Sequence, residues 1–172
     1  MSYGIVLRNS TPGQDAIGVT VTVNVVDASN AVLKTDVSRI TGIPASGTYY
    51  FGGVVPLDPS AAAPANIAVS VQVESGRPTR LRVPPVSGLT AVDSSGETHV
   101  QGQVSNPYTK PMSSLTRITS VVFDAGGNVI GGGVTFPAAP ILPADRVKFE
   151  MPIAGVTLDR IASVQASVEP ET

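Results

Sequence analysis

Alternation of apolar and polar residues marks the segment 17–26 as a β-strand. Isoleucine or valine stands at every odd position of this segment, and glycine, threonine or asparagine stands between them. A period of two is typical of a strand with one buried face. The pattern predicts burial of Val21, Val23, Val25, Val32, Ile118 and Val129. More exposed positions are predicted at Thr20, Thr22 and Asn24.

Patterns of this kind recur along the chain and predict ten strands with almost no helix. Fifteen prolines and seventeen glycines are scattered among the 172 residues, which disfavours any long helix. The first five strands are predicted at 3–9, 17–26, 31–41, 47–55 and 66–75. The second five are predicted at 98–106, 114–123, 128–136, 146–152 and 160–169. Short strands separated by regular turn signals indicate β-sandwiches.

The chain repeats itself at a nearly constant offset. Asn9 corresponds to Asn106 and Asp27 to Asp124, each 97 residues further on. Further matches are 43–45 with 142–144, and 67–74 with 161–169. A repeat of this length is typical of a duplicated domain rather than a short solenoid unit. We therefore predict an all-β chain of two tandem β-sandwich domains related by internal duplication.

The repeat also predicts the domain boundaries. These are a first sandwich over 1–84, a linker over 85–97 and a second sandwich over 98–172. The segment 76–96 has no counterpart in the repeat. Within it, 79–83 alternates and is predicted to add a strand to the first domain, with a short strand over 89–92 as a further alternative. Pro84-Pro85 restricts the backbone, which predicts a semi-rigid join.

Polar residues at the ends of strands are predicted to have structural roles. Asp27 and Asp124 each open a hairpin turn, where a carboxylate accepts hydrogen bonds from the N–H groups of its own turn. Asn9 and Asn106 stand at strand ends, where a side-chain amide usually satisfies backbone groups. The run of three glycines at 131–133 predicts a β-bulge or a close approach of two backbones.

Several residues of the second repeat form a pattern known from one family. They are Gly102, Val104, Asn106, Val122-Phe123-Asp124, Gly127, Leu142-Pro143 and Phe149. This pattern resembles the FxLYD family of immunoglobulin-like domains in bacterial and archaeal exported proteins, although Ser120 and Phe123 replace the first Phe and the Tyr of its motif. The resemblance is weaker in the first repeat. It implies two immunoglobulin-like domains in an extracytoplasmic, often membrane-tethered module, and it carries no catalytic or cofactor residues.

Composition narrows the classes of partner. Charged residues make up 14% of the chain and the net charge is −2, which argues against a nucleic-acid partner. No apolar run reaches the roughly eighteen residues of a membrane span, so any membrane tether would lie outside this chain. Without cysteine there is neither a disulfide nor a thiolate metal site. Two locations stay open: the cytosol, or, as we favour, the cell exterior after removal of an export segment.

Candidate chemistry is sparse. His99 is the only histidine. A nucleophilic system would have to use it, and Ser94 and Ser95 lie nearby without the usual Gly-x-Ser-x-Gly turn. Asp93, Glu97 and His99 offer at most three ligands for a metal. We therefore predict no enzymatic activity, no cofactor and no metal.

Another protein is the expected partner. Arg77, Arg80 and Arg82 form the only basic cluster, and Tyr50 belongs to an aromatic run with rings on both strand faces, so these four are the candidate contacts. The predicted function is a non-enzymatic structural or interaction module that binds through strand faces, edges or loops. The alternative is a spacer subunit of a surface, appendage or phage assembly. The oligomeric state is left open.

Overall fold

The computed structural model describes residues 1–58, 62–78 and 80–171, and this part of the chain is all-β. The first six strands are β1 (Ser2–Arg8), β2 (Gln14–Val26), β3 (Val32–Ile43), β4 (Thr48–Val54), β5 (Asn66–Pro78) and β6 (Val86–Ser94). The next five are β7 (Glu97–Ser105), β8 (Ile118–Phe123), β9 (Val129–Thr135), β10 (Arg146–Pro152) and β11 (Ser163–Val168). The single helical turn in these ranges is a 3-10 turn at Leu158–Arg160. All ten predicted strands are present, and their ends differ from the predicted ones by a few residues.

The strands pair in the same order in both halves of the chain. In the first half β1 pairs with β4, and β2 lies between β3 and β5. In the second half β7 pairs with β10, and β8 lies between β9 and β11. All of these pairs are antiparallel. The remaining strand, β6, joins the free side of β7 and has no counterpart in the first half.

The prediction of a linker over 85–97 is wrong, because most of this segment forms β6 and the turn into β7. The alternative, a short strand over 89–92, is confirmed, since it lies within β6. Val86 and Leu89 pack against the hydrophobic core of the second half, and their burial outweighs the freedom that a linker would have. The strand predicted over 79–83 is also absent from the described residues. Thr79 lies outside them, and Arg82 makes only an isolated bridge with Glu171.

Each half buries its own hydrophobic cluster between two layers of strands. In the first cluster, side chains of β1 and β4 meet those of β2 and β3: Tyr3, Leu7, Tyr49 and Phe51 against Val19, Val21, Val23, Val25 and Ile40. In the second, side chains of β7 and β10 meet those of β8 and β11: Val100, Val104, Phe149 and Met151 against Ile118, Val122 and Val168. The described residues are thus all-β, in several small sheets whose packing is consistent with a β-sandwich.

The burial predictions are confirmed for most positions and wrong for two. Val21, Val23, Val25 and Ile118 are fully buried, and Thr20, Thr22 and Asn24 are more exposed. Val32 and Val129, however, are 57% and 39% exposed. A register shift at the end of β2, and another at the end of β8, pairs these two valines with Val26 and Phe123. Each bulge leaves one extra residue, Leu33 or Ile130, without a direct partner, which breaks the alternation and removes the first residue of β3 and of β9 from the buried row.

The two asparagines at the strand ends are buried and bonded to the backbone. Oδ1 of Asn9 accepts the N–H of Thr11 at 3.1 Å, and Oδ1 of Asn106 accepts the N–H of Tyr108 at 2.8 Å. Each amide group also donates to two or three backbone carbonyl oxygens. The predicted structural role of both residues is confirmed.

The same bonds correct one predicted match between the halves. The amides of the asparagines donate to the oxygens of Ile43 at 3.2 Å and Ile141 at 2.7 Å. The turns that follow place Ser46 and Ala144 at positive φ, 53° and 63°. Both pairs are 98 residues apart, so the predicted offset of 99 for this segment is wrong by one residue. The Pro-Ala dipeptides look alike but occupy different positions of the turn.

The hairpin aspartates act as predicted. Oδ1 of Asp27 accepts the hydroxyl of Ser29 at 2.7 Å and the N–H of Ala31 at 2.9 Å. Oδ1 of Asp124 accepts the side-chain amide of Asn128 at 3.2 Å and its N–H at 2.8 Å. The side-chain hydrogen bonds contribute most to lowering the pKa of both carboxyl groups below the usual range, and the backbone N–H groups add to the effect.

Candidate functional site

The two halves meet through glycines. Both faces of β8 are buried: one covers the core of the second half, and the other lies under the outer face of β1 and β4. A Cβ on Gly52 would lie 2.1 Å from the carbonyl oxygen of Ser120, and one on Gly132 would lie 2.5 Å from that of Tyr3. Only glycine leaves room for backbones this close. Of the two alternatives predicted for 131–133, the close approach of two backbones is confirmed, whereas the bulge lies one residue earlier, at Ile130.

Polar bonds cross the same contact. The hydroxyl of Thr119 donates to the oxygen of Tyr50 at 2.5 Å, and the N–H of Tyr50 donates to the hydroxyl of Ser167 at 2.9 Å. The Tyr50 ring meets Phe123 edge-on, with centroids 6.4 Å apart. Further along, the Glu169 carboxylate accepts the N–H and the hydroxyl of Thr41. Tyr50, predicted as a contact for a partner, is thus half-buried against the second half of its own chain.

The three predicted arginines lie near the C-terminal end of the described chain. Arg77 and Arg80 line a surface cavity of about 310 Å³ together with Glu171. Arg82 forms its isolated bridge with Glu171, and its carbonyl oxygen accepts the hydroxyl of Tyr108 at 2.5 Å. The fold therefore places all three arginines near Glu171, and Tyr50 belongs to a different surface.

Asp15 is a structural carboxylate that the sequence reasoning missed. Its side chain is buried, and Oδ2 accepts the N–H groups of Arg80 at 2.6 Å and Leu81 at 2.8 Å. Oδ1 accepts the N–H of Ala45 at 2.8 Å. Burial opposes ionisation, but the three N–H groups outweigh it, so the pKa of Asp15 lies below its usual value. The available signal was a charged residue in the row of odd positions that alternation assigns to the core.

His99 lies between two glutamates. Its Nδ1 is 2.6 Å from Oε1 of Glu150 and its Nε2 is 3.7 Å from Oε2 of Glu97. The first pair has the distance of an ion pair, but its angles are not those of a hydrogen bond. Within the described ranges the charged neighbours of the ring are these carboxylates, and the hydroxyls of Ser94 and Ser95 make no hydrogen bond to it. In the same ranges no three His, Asp or Glu side chains are grouped so that they could hold a metal ion.

A row of valines is exposed on β5. Val69, Val71 and Val73 pair directly with buried valines of β2, so they point to the core side of the sheet. Their side chains are nevertheless 40–51% exposed. In the described chain β5 has a neighbouring strand on one side only, which leaves a row of backbone N–H and C=O groups open on the other side. We call the row of Val69, Val71 and Val73, together with the open backbone groups of β5, the β5 edge.

Comparison of the chain with protein-family models and with curated proteins finds no match. None of the described residues belongs to a helix of the length and hydrophobicity that crossing a membrane requires. The geometry of the site is therefore the basis on which a function can be argued.

Proposed function

We propose that the chain is a non-enzymatic interaction module of a bacterial extracytoplasmic protein, built from two tandem immunoglobulin-like domains related by duplication. The equal pairing order of the two halves supports the duplication. So do the matching bonds of Asn9 with Asn106 and of Asp27 with Asp124. The resemblance to FxLYD domains supports the immunoglobulin-like type and the extracytoplasmic location.

The observation that carries the proposal is the β5 edge. Sheet edges with unpaired backbone groups are sites where other chains add strands, and natural proteins usually protect them with charges, prolines or cover. The row Val69, Val71 and Val73 offers a contiguous apolar contact at such an edge. A partner protein that binds here would gain backbone hydrogen bonds and apolar burial at the same time.

The bonds of the polar side chains support a non-enzymatic role. Asp15, Asn9 and Asn106 are buried and bonded to the backbone of their own fold. The hairpin carboxylates of Asp27 and Asp124 accept bonds within their own turns. Each of these groups has a structural role that accounts for its position, and catalysis is not needed to explain it.

We expect a photo-crosslinking residue at position 71 to trap a protein partner in cells that naturally make this protein. Benzoylphenylalanine at Val71 lies on the β5 edge, and at Val37 it serves as the control, because Val37 is 61% exposed on edge strand β3 of the same sheet. The measurement is the mass of crosslinked products on denaturing gels. A discrete adduct at position 71 and none at 37 is expected; equal labelling at both positions, or none at 71, would contradict the proposal.

A second candidate function is a spacer subunit of a surface, appendage or phage assembly. The contact at Gly52 and Gly132 favours it, because two backbones in direct contact leave little freedom for the halves to move against each other. A spacer needs such rigidity.

We expect the halves to tumble together in solution. Nitrogen-15 NMR relaxation should give one rotational diffusion tensor for 2–78 and 86–168. Two different tensors would show independent motion and would exclude the rigid spacer, whereas the interaction module would not be affected.

A further inference from the structure

The two halves differ in how their last strand is covered. In the second half, Val168 of β11 pairs with Ile118 and is 0% exposed. In the first half, Val71 of β5 pairs with Val21 in the corresponding way and is 45% exposed. The strand that makes the difference is β6, which adds to β7 and contacts β11 across the sandwich. In the described residues no strand takes this place beside β1.

The edge of β1 is prepared for such a strand. The oxygen of Met1 accepts the N–H of Val55 at 2.8 Å, and the N–H of Asn9 donates to the oxygen of Gly47 at 3.0 Å. Backbone groups of successive residues in a strand point in opposite directions. The N–H and C=O groups of the even residues of β1, including Val6, therefore point away from β4 toward the unpaired side.

A groove lies beside this edge. It is lined by residues 1–4 around the start of β1, 64–67 around the start of β5 and 129–131 at the start of β9, and its volume is about 380 Å³. Ile67, which lines the groove, lies on the same face of β5 as Val69, Val71 and Val73, so the row of valines continues along the strand from the groove. Unpaired backbone groups on one wall and exposed valines on the floor together define a slot with the shape of a missing strand.

We propose that this slot binds an extended strand of another polypeptide, antiparallel to β1, with apolar side chains over Val69, Val71 and Val73. This rests on the proposed function and names the chemistry of its partner: the partner segment covers the valines of the β5 edge, while its backbone pairs with β1. The partner segment has apolar residues on one face, few charges and no proline within the paired stretch. Its affinity comes from backbone pairing and its specificity from the apolar side chains.

The occupant is inferred from the second half, where β6 fills the corresponding place. Val86 and Leu89 of β6 reach the core, and Asp93 is the only charged residue of that strand. A second copy of the chain fits less well. Its own β6 is already paired with β7, and the Tyr3 and Leu7 side chains of its β1 are buried in its own core.

A synthetic peptide of residues 84–95, which contains the β6 sequence, is the probe. Titration into the isotope-labelled full chain should shift the amide signals of β1 and β5 in NMR spectra. Val71→Lys places a charge in the slot, and Val6→Pro removes an outward N–H; each should weaken binding by about tenfold or more. Val37→Lys is the matched control and should leave the affinity unchanged.

Each of the following outcomes would overturn the proposal that the slot binds a strand of another polypeptide. Shifts confined to β7 and β11 would mean that the peptide only exchanges with β6. Dimerisation that needs Val71 but no peptide, measured by analytical ultracentrifugation, would assign the slot to a second copy. Absence of binding would reject the strand-shaped slot, while an adduct at position 71 in cells would still support the interaction module. Both proposals fail together only if that adduct is missing as well.

Discussion

Replacement of Gly52 by alanine should lower the free energy of unfolding by about 3 kcal/mol or more. The new methyl group would lie 2.1 Å from the oxygen of Ser120 and 2.5 Å from the backbone nitrogen of Gly133. These are backbone atoms, which cannot rotate out of the way as a side chain can. The halves would have to separate locally, and the Tyr50–Phe123 ring contact would open. Urea denaturation of both proteins measures the effect.

The expected loss of stability is opposite to the usual effect of replacing glycine by alanine in a strand. In a strand, alanine is normally more favourable than glycine by about 0.5–1 kcal/mol, because the unfolded chain has less freedom to lose. Gly13→Ala is the control: a Cβ there meets nothing within 4 Å, and only the positive φ of 71° opposes it. That substitution should cost about 1–2 kcal/mol. If Gly52→Ala were as stable as the wild type, the backbones would not be in contact.

Replacement of Asp15 by asparagine should lower the free energy of unfolding by about 2–4 kcal/mol at neutral pH. The carboxylate accepts three backbone N–H groups, from Ala45, Arg80 and Leu81. An asparagine turns one acceptor oxygen into a donor that faces an N–H group, and the loss of charge weakens the remaining bonds. The connection between β5 and β6 should loosen in consequence. Denaturant unfolding gives the stability, and hydrogen exchange of the Arg80 and Leu81 amides gives the local effect.

The stabilisation by Asp15 should depend on pH in a defined direction. Its pKa in the folded protein lies below the value of about 3.9 expected in the unfolded chain. The contribution is therefore complete above about pH 4 and is lost as the pH falls through the folded pKa. The asparagine side chain of the variant does not titrate, so the stability gap between wild type and Asp15→Asn should shrink below pH 4. Asp159→Asn, at an exposed site, is the control and should leave the stability at neutral pH unchanged. A constant gap for Asp15→Asn down to pH 2 would exclude the charge as the cause.

The exposure of Val32 and Val129 shows the limit of predicting burial from alternation. Both valines continue the apolar pattern, and alternation alone assigns them to the core. Whether a strand begins on the inner or the outer face, however, depends on the register of the hairpin, and one extra residue in a bulge reverses it. The exposed fraction of these residues followed from pairing with Val26 and Phe123, which are not identifiable as partners from local sequence.

The candidate site shows the same limit. The sequence predicts the arginines and Tyr50 as contacts because they are basic or aromatic, but their exposure depends on what the rest of the chain covers. Tyr50 is covered by β8, and Arg82 is placed beside Glu171 by the return of the C-terminal segment. In the sequence, Val69, Val71 and Val73 have the pattern of an ordinary core face. Their exposure results from the absence of a strand that would cover them, and the local sequence does not show this.

Local sequence was enough to specify the strands, the hairpins and the repeated roles of Asn9, Asn106, Asp27 and Asp124. Period-two burial and bonds between residues two to five positions apart involve neighbours along the chain, so the pattern of residues carries them. Three features came from the folded chain instead: β6 pairs with β7, β8 is buried on both faces and the β5 edge is open. These features depend on contacts between segments far apart in the chain, where the deciding quantity is the area that one layer can bury on another.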